Sequence, residues 1–533
     1  MHPSIPLRPV EVTAYGSTAV TPHVLSTQAA MAALAGGGNA VDAAIAANAM
    51  QGVVAPETCG IGGDLFALVT GPELESPLAL NSSGHAGSGA AELAHALRSS
   101  GTAAIPQRHP AAVTIPGCVD GWLELHRRLG RIELETILEP AARVAAGGFP
   151  ASREMAVAFA GRFDELRTEP SAAPLYSAGR PPLEGERIVR QQLATTLKRI
   201  ADEGREAFYG GTIGRGISEA VGGAISVADL EAVQAEWVDP LSVDIFGARG
   251  WTIPPNSQGY ISLLGLAIVD RLGLTESDDP LGWHHAIEAY RLAAEDRDRI
   301  LADPDSMEMA PEDLLAPRRI DGLVDRYSPD CLTSVGTHSP GSGGTAFMCV
   351  VDGDGLGVSL IQSNFYGIGS GISVQAGGFL LHDRGRGFTL TSGHPNELAP
   401  GRRPLHTLSP TIWTRDGNLS AVLGTRGGFM QPQLIIQLAS LIIGRNVDPG
   451  RAMSTPRWML PVEDEGLNCS SVEVEPGTPA TVVDGLHRRG HRPIVRDVPQ
   501  PGWGPMSVIR VDGDGRRVAA ADPRVDTAAA TAL

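Results

Sequence analysis

In the run 338-HSPGSGGTAFMCVVDGDG-355 the chain changes character at a single residue. Through Gly344 it is turn chemistry, built from proline, glycine and serine. From Thr345 it is TAFMCVV, an apolar, β-branched and aromatic run that reads as a buried strand, and Asp-Gly-Asp-Gly stops it at once. A flexible segment laid directly against the first residue of a core strand limits what the chain can become. The fold must open a central strand abruptly, in the middle of the sequence, with a threonine at its edge.

On either side of that junction the texture differs. The first third is rich in small residues and predicts closely packed helices. Ser26 is a candidate cap for a helix running to about Leu34. Gly36-Gly37-Gly38 ends it, and Asn39 caps the next, AVDAAIAANAM. A second helical block spans about 190–237, with a capping box at Ser226-Val-Ala-Asp229 in which Asp replaces the usual Glu. Gly282 to Ile300 reads as one long amphipathic helix. After Thr345 the pattern predicts strands at 345–351, 357–362, 374–381, 409–414 and 419–424, and again near 470–482 and 506–521. The longest loops are expected at 165–190 and 385–405.

Composition excludes several classes of function. A formal net charge of -18 argues against nucleic acid or an anionic membrane surface as partner, since both need clustered Lys and Arg. The five cysteines (Cys59, Cys118, Cys331, Cys349, Cys469) are scattered and form no CxxC, so neither a zinc ribbon nor a disulfide scaffold is indicated. The N-terminus shows no basic segment followed by an apolar one, and the apolar run 434-LIIQLASLIIG-444 is shorter than the roughly 20 residues a bilayer requires. A cytoplasmic protein is therefore expected.

Several chemical motifs fail on spacing. The glycine clusters at 36–38 and 60–63 match neither GxGxxG nor GxxxxGK[ST], and packing or turn roles suit them better. His284 and His285 are adjacent and cannot share a helical face as metal ligands. No GxSxG elbow is present. Thr345 stands apart, although most threonines at a strand start are structural. If the chain is cut before it, the freed α-amine titrates near ~8 and can act as general base for the hydroxyl of the same residue. The glycine before it, Gly344, tolerates the backbone geometry that such a cut demands.

Blocks along the whole chain carry a resemblance from about residue 14 to 526. They include 37-GGNAVDAA-44, 60-GIGGD-64, 115-IPGCVDGW-122, 139-EPAARVAAGGF-149, 208-FYGG-211, 224-AISVADL-230 and 254-PPNSQG-259. Further on come 288-EAYRLAAEDR-297, 345-TAFMCVVD-352, 407-TLSPTI-412, 424-GTRGG-428 and 522-DPR-524. In these blocks, and in their order, the chain resembles the γ-glutamyltranspeptidase family of N-terminal nucleophile (Ntn) hydrolases. The resemblance implies an α+β fold, the four-layer αββα sandwich, made as a precursor that cuts itself between Gly344 and Thr345. A large chain, 1–344, would form the mostly helical half and a small, strand-rich chain, 345–533, would begin with the nucleophile, the two making one structural domain. By similarity Ser363 takes the place of the family's second threonine, which hydrogen-bonds the nucleophile, and Gly427 and Gly428 match the pair whose N–H groups hold the oxyanion. No cofactor and no metal are implied. The implied partners are a small-molecule substrate and the two chains themselves, with a dimer of processed pairs left open.

Departures from the family pattern bear on the substrate. Where γ-glutamyl enzymes carry an arginine for the glutamate α-carboxylate, this chain reads 79-ALNSSGHAG-87, so Ser83 is the candidate contact there. Their aspartate for the α-amine corresponds to Gly387 in 382-HDRGRGF-388, with Arg384 and Arg386 close by. Their serine pair appears as His406-Thr407, and Arg426 precedes the oxyanion glycines. These variants resemble the branch containing oxamate amidohydrolase and cephalosporin-acylase-like proteins, and the leading expectation is hydrolysis of an amide or acyl bond beside a carboxylate. The alternatives are a γ-glutamyl hydrolase or transpeptidase, removal of an oxalyl group by C–C cleavage in the making of 4-alkylproline units of antibiotics, and an unprocessed small-molecule binder.

Scission separates the enzyme readings from the binder. Purified protein is expected to resolve into two chains under denaturing conditions, with the smaller beginning Thr-Ala-Phe-Met, whereas Thr345→Ala stays whole. An active wild-type protein that remains full length would refute the nucleophile assignment.

Overall fold

The computed structural model describes residues 7, 10–176, 179–335, 343–461 and 467–533. Most of the turn segment before the junction, through residue 342, therefore lies outside the described residues.

The strand that opens at the junction, Gly344–Val351, is buried on both faces. Its even and odd side chains go to different places. Ala346, Met348 and Val350 enter a core shared with helices, while Phe347, Cys349 and Val351 enter a second core between two sheets. The neighbouring strand Asp64–Thr70 divides in the same way, with Leu65, Ala67 and Val69 on the helical side and Phe66 and Leu68 between the sheets. Period-two alternation with both faces apolar is what a sheet enclosed on both sides requires.

Two seven-stranded sheets are stacked in this way. The front sheet runs, edge to edge, 529–532, 18–21, 344–351, 357–365, 64–70, 78–82, 236–238, and every neighbouring pair is antiparallel. The back sheet runs 10–14, 517–521, 506–511, 418–425, 411–415, 248–252, 241–245, also antiparallel throughout. Helices Val24–Ala35, Ala40–Val54, Leu134–Gly147 and Gln191–Glu203 cover the front sheet. Gly259–Leu272, Pro280–Ala294 and Gln431–Ala439 cover the back. The result is the four-layer αββα sandwich. Both sheets contain strands from before residue 344 and strands from 344 onward.

Local chemistry explains most element boundaries. Asn39 caps its helix through a full capping box with Asp42, and every residue of that helix is buried, which alanine permits. Other boundaries differ from the sequence expectation. The first helix starts at Val24 with His23 as its cap; Ser26 lies within the helix and donates to Gln51 Oε1 at 2.8 Å instead. Ser226 and Asp229 do bond reciprocally, but they open only the short 3-10 turn Asp229–Glu231. The helix expected over 282–300 breaks after Ala294 and resumes at Arg297–Ile300. The segment 374–381 is a two-residue hairpin turned at Gly378, whose φ is 71°. Beyond strand Ser471–Val474 the chain becomes a helix, Ala480–Arg488, capped at Pro479, where sequence had predicted strand to 482. Among the described residues no helix is long and apolar enough to cross a membrane.

The sheets approach closely where Gly424 faces Phe347: a Cβ on the glycine would lie 2.5 Å from the ring. Gly424→Val is expected to cost about 1–3 kcal/mol by overpacking, read as a lower denaturant midpoint with unchanged slope. A neutral result would show that the sheets can part at this point without strain.

Candidate active site

The junction threonine lies at the centre of the front sheet, nearly fully buried. Its hydroxyl donates toward the Gly344 carbonyl oxygen at 2.8 Å and lies 3.2 Å from Ser363 Oγ. Ser363 comes from the adjacent strand, Gly357–Phe365, and donates to the same carbonyl at 2.6 Å. The Phe365 N–H donates to Ser363 Oγ at 2.8 Å, which commits a lone pair and leaves the serine proton for the carbonyl. Phe365 reaches this position with φ 75°, a left-handed conformation uncommon outside glycine. The carbonyl of the Gly344–Thr345 peptide is thus contacted by two hydroxyls, an arrangement that polarises it toward attack.

The glycine pair is close by. A Cβ on Gly343 would lie 3.3 Å from Gly428 Cα and 2.8 Å from the Phe365 carbonyl oxygen. Gly427 and Gly428 both have positive φ, 122° and 58°, so the turn they make is open to glycine and strained for other residues. Gln258 pins it by donating from Nε2 to the Gly428 and Thr407 carbonyls, each at 3.0 Å.

Beneath the hydroxyls lies a fully buried carboxylate, Asp64, opposite Ser363 in register. Its Oδ2 accepts from His406 Nε2 at 3.0 Å and Arg384 Nε at 3.2 Å and lies 3.3 Å from His382 Nδ1. Its Oδ1 accepts from the Gly84 N–H at 3.2 Å. Burial alone would raise its pKa, but His382 and His406 outweigh that and hold the carboxyl well below the usual range. His406 is driven the other way. Burial first, then the Arg384 charge, lowers it to about 3, so the ring is neutral. The Leu408 N–H donates to His406 Nδ1 at 3.3 Å, which places the remaining proton on Nε2, facing Asp64.

The three arginines named from sequence part company. Arg384 is fully buried, donates from Nη1 to Thr407 Oγ1 at 3.2 Å, and rests 4.0 Å above the Phe365 ring centroid. Its Nη2 has no partner and no contact with solvent. Arg386 is partly exposed, lies 4.3 Å above the Tyr366 ring, and donates to the Ile105 carbonyl at 3.3 Å and to Asp383 at 3.4 Å. Asp383 is pushed up to about 6 by burial, against the Tyr366 N–H and the two arginines. Arg426 turns away: it pairs with Glu154 and donates to the Gly504 carbonyl. Each of the three thus already has an acidic partner, and among their nitrogens only Arg384 Nη2 is both buried and without a partner. Ser83 is buried one loop further on and accepts from Asn256 Nδ2 at 3.1 Å. Gly387 is glycine for close approach, since a Cβ there would lie 2.5 Å from the Leu405 carbonyl oxygen.

Sequence reasoning gave no role to Asp64, His382, Phe365 or Asn256. The available signal was Asp64 itself, a lone charge opening the otherwise apolar strand DLFALVT. Glu57 was also missed; burial raises its carboxyl to about 8, and its Oε2 is unpartnered. Among the described residues one group of metal-ligand type, His284, Glu288 and His491, lies away from these loops. Its atoms are engaged with one another and with protein: His284 Nδ1 to His491 Nε2 at 2.7 Å, and Glu288 to Arg291 and the Thr333 N–H at 2.6 and 2.7 Å.

Comparison with known proteins agrees with this geometry. The family model described as gamma-glutamyltranspeptidase matches residues 26–532. The chain is 34% identical over 517 residues to the glutathione hydrolase-like YwrD proenzyme of Bacillus subtilis, covering 96% of this chain and 97% of that one. It is 34% identical over 522 residues to the oxamate amidohydrolase proenzyme of Klebsiella pneumoniae, covering 96% and 98%. Among solved structures, cephalosporin acylase from Bacillus halodurans superposes with a TM-score of 0.91 at 32% identity, covering 100% and 98% of the two chains.

Ser363→Ala removes one donor from the Gly344 carbonyl and one neighbour of the Thr345 hydroxyl. It is expected to slow both scission and turnover by roughly 3- to 10-fold, the effect of one hydrogen bond. Unchanged rates of both would assign those contacts a purely structural role.

Proposed function

The chain belongs to the γ-glutamyltranspeptidase family, and from that premise we propose that it is a self-processing Ntn hydrolase that cleaves an amide or acyl bond next to a carboxylate, of the oxamate or oxalyl type. In the uncut chain the Thr345 nitrogen is an amide and cannot serve as a base. Scission makes it an amine titrating near ~8, carried on the same residue as the nucleophilic hydroxyl. Scission also clears the ground. Gly343 and Gly344 are packed against Phe365, Gly428, Glu57 and Gly367, the walls that an acyl group bound at Thr345 must meet.

The observation that carries the substrate reading is the unpartnered, buried Nη2 of Arg384. A desolvated guanidinium nitrogen without an acceptor is costly, and a substrate carboxylate satisfies it with a charge-assisted bond. Asp64 and Thr407 fix the other two nitrogens, so the free one has a set direction. A group whose carboxylate adjoins the reacting carbonyl suits a donor held on Asp64, the cross-strand neighbour of Ser363. The oxamate amidohydrolase relative acts on a molecule of that kind by its name. The glutathione hydrolase-like relative, at the same identity, supports the γ-glutamyl alternative.

The deciding comparison is oxamate against γ-glutamyl-p-nitroanilide on the cut enzyme. Oxamate is expected to be turned over, and Arg384→Lys, which keeps the charge but loses the planar fork, is expected to lower its kcat/KM by about 10- to 100-fold. Efficient turnover of the glutamyl compound with none of oxamate would reverse the assignment.

A further inference from the structure

Gly344 occupies a place where no side chain fits. A Cβ built on it in the L configuration would lie 2.8 Å from Gly367 Cα and 2.9 Å from the carbonyl oxygens of Glu57 and Gly367. All of these are backbone atoms, which cannot swing aside as the end of a flexible side chain does. The wall is also tied to the catalytic strand. Asn364, next to Ser363, donates from its N–H to the Thr58 carbonyl and from Nδ2 to the Pro56 carbonyl, both at 3.4 Å, bracketing Glu57.

The carbonyl of this same glycine is the one that Ser363 and Thr345 contact. During scission the Gly344 acyl group passes from the Thr345 nitrogen to Thr345 Oγ1. The new C–O bond forms, the C–N bond breaks, and the hydroxyl proton ends on the freed amine. Water then splits the ester, leaving a carboxylate on Gly344 and restoring the hydroxyl. A substrate's acyl group forms an ester on the same oxygen and is released by the same step. Gly344 is therefore the first acyl group the site handles, and its α-carbon marks where the corresponding carbon of a substrate sits.

We infer that the acyl side of the site excludes groups bearing an L-configured branch on the carbon next to the scissile carbonyl, and that the backbone of Glu57 and Gly367 is the excluding wall. A planar carboxylate carbon passes, as does a methylene. L-Aminoacyl groups other than glycyl do not, which bars ordinary peptides. The inference rests on Thr345 as the nucleophile and is independent of Arg384.

The chain supplies the first test. Gly344→Ala is expected to fold, by circular dichroism and thermal melting, yet to be cut at least about 10-fold more slowly. Cutting at the wild-type rate overturns the inference. A second measurement uses the cut wild-type enzyme, whose fold no substitution disturbs. The p-nitrophenyl esters of N-formylglycine and N-formyl-L-alanine are offered, and acylation of the small chain is read by mass. Labelling by the glycyl ester alone supports the inference; equal labelling, or labelling by neither, overturns it. Failure of oxamate turnover leaves this result standing, and wild-type cutting by Gly344→Ala leaves the oxamate reading standing, so the two fail separately.

Discussion

The buried charge of Asp64 is the constraint around which the site is built. An ionised carboxylate sealed from water costs several kcal/mol unless its lone pairs are met. Here they are met from separate segments: the Gly84 N–H, Arg384 and the His406 ring, with His382 beside them. Because His406 is neutral, and the carboxylate is not, Arg384 is the full positive charge directly bonded to Asp64. The arginine cannot leave without stranding the acid. The same interaction therefore joins the front sheet to two loops and fixes which guanidinium nitrogen is left over.

The sandwich supplies what that charge needs. Two sheets enclosed by helices exclude water from the strand ends where Asp64, Ser363 and Thr345 lie. Low dielectric strengthens each hydrogen bond in the cluster and raises the cost of any left unmade. Unpartnered atoms of this region include Arg384 Nη2, Glu57 Oε2, Asn364 Oδ1 and Gln258 Oε1, all on segments that line or back the junction. Polar groups of a stable core are normally paired, and departures gather where chemistry is done.

Much of this was legible in the sequence, for identifiable reasons. The strand at 345–351 and its partners announced themselves because apolar runs bounded by Gly and Asp leave little alternative. Asn39 was readable because capping chemistry is local. Ser26 was misread for the same reason. Its side chain looks like a cap within a short window, yet it bonds Gln51, 25 residues away. The strand–helix switch after Val474 was hidden because a short apolar run suits either element. In the site, Thr345, Ser363 and the glycine pair fell together, whereas Arg426, from the same GTRGG block as that pair, turns away, since its partner Glu154 lies 272 positions off and no local pattern encodes the pair. Phe365 was invisible because nothing in the sequence states that a phenylalanine will sit at positive φ.

The order of strands in the front sheet has a consequence for how the molecule is made. Strand 18–21 lies between 344–351 and 529–532, pairing Val20 with both Cys349 and Ala530. A ribosome releases the first of these strands hundreds of residues before the last. The early helices can pack as they emerge, but the sheet they cover keeps an open edge until the final strand arrives. Scission before that moment would part the chain while its halves were still unpaired. The Thr345 hydroxyl and the Gly344 carbonyl meet Ser363 from strand Gly357–Phe365, which is made after both, so this arrangement forms only when the strand that follows the junction has been laid beside it.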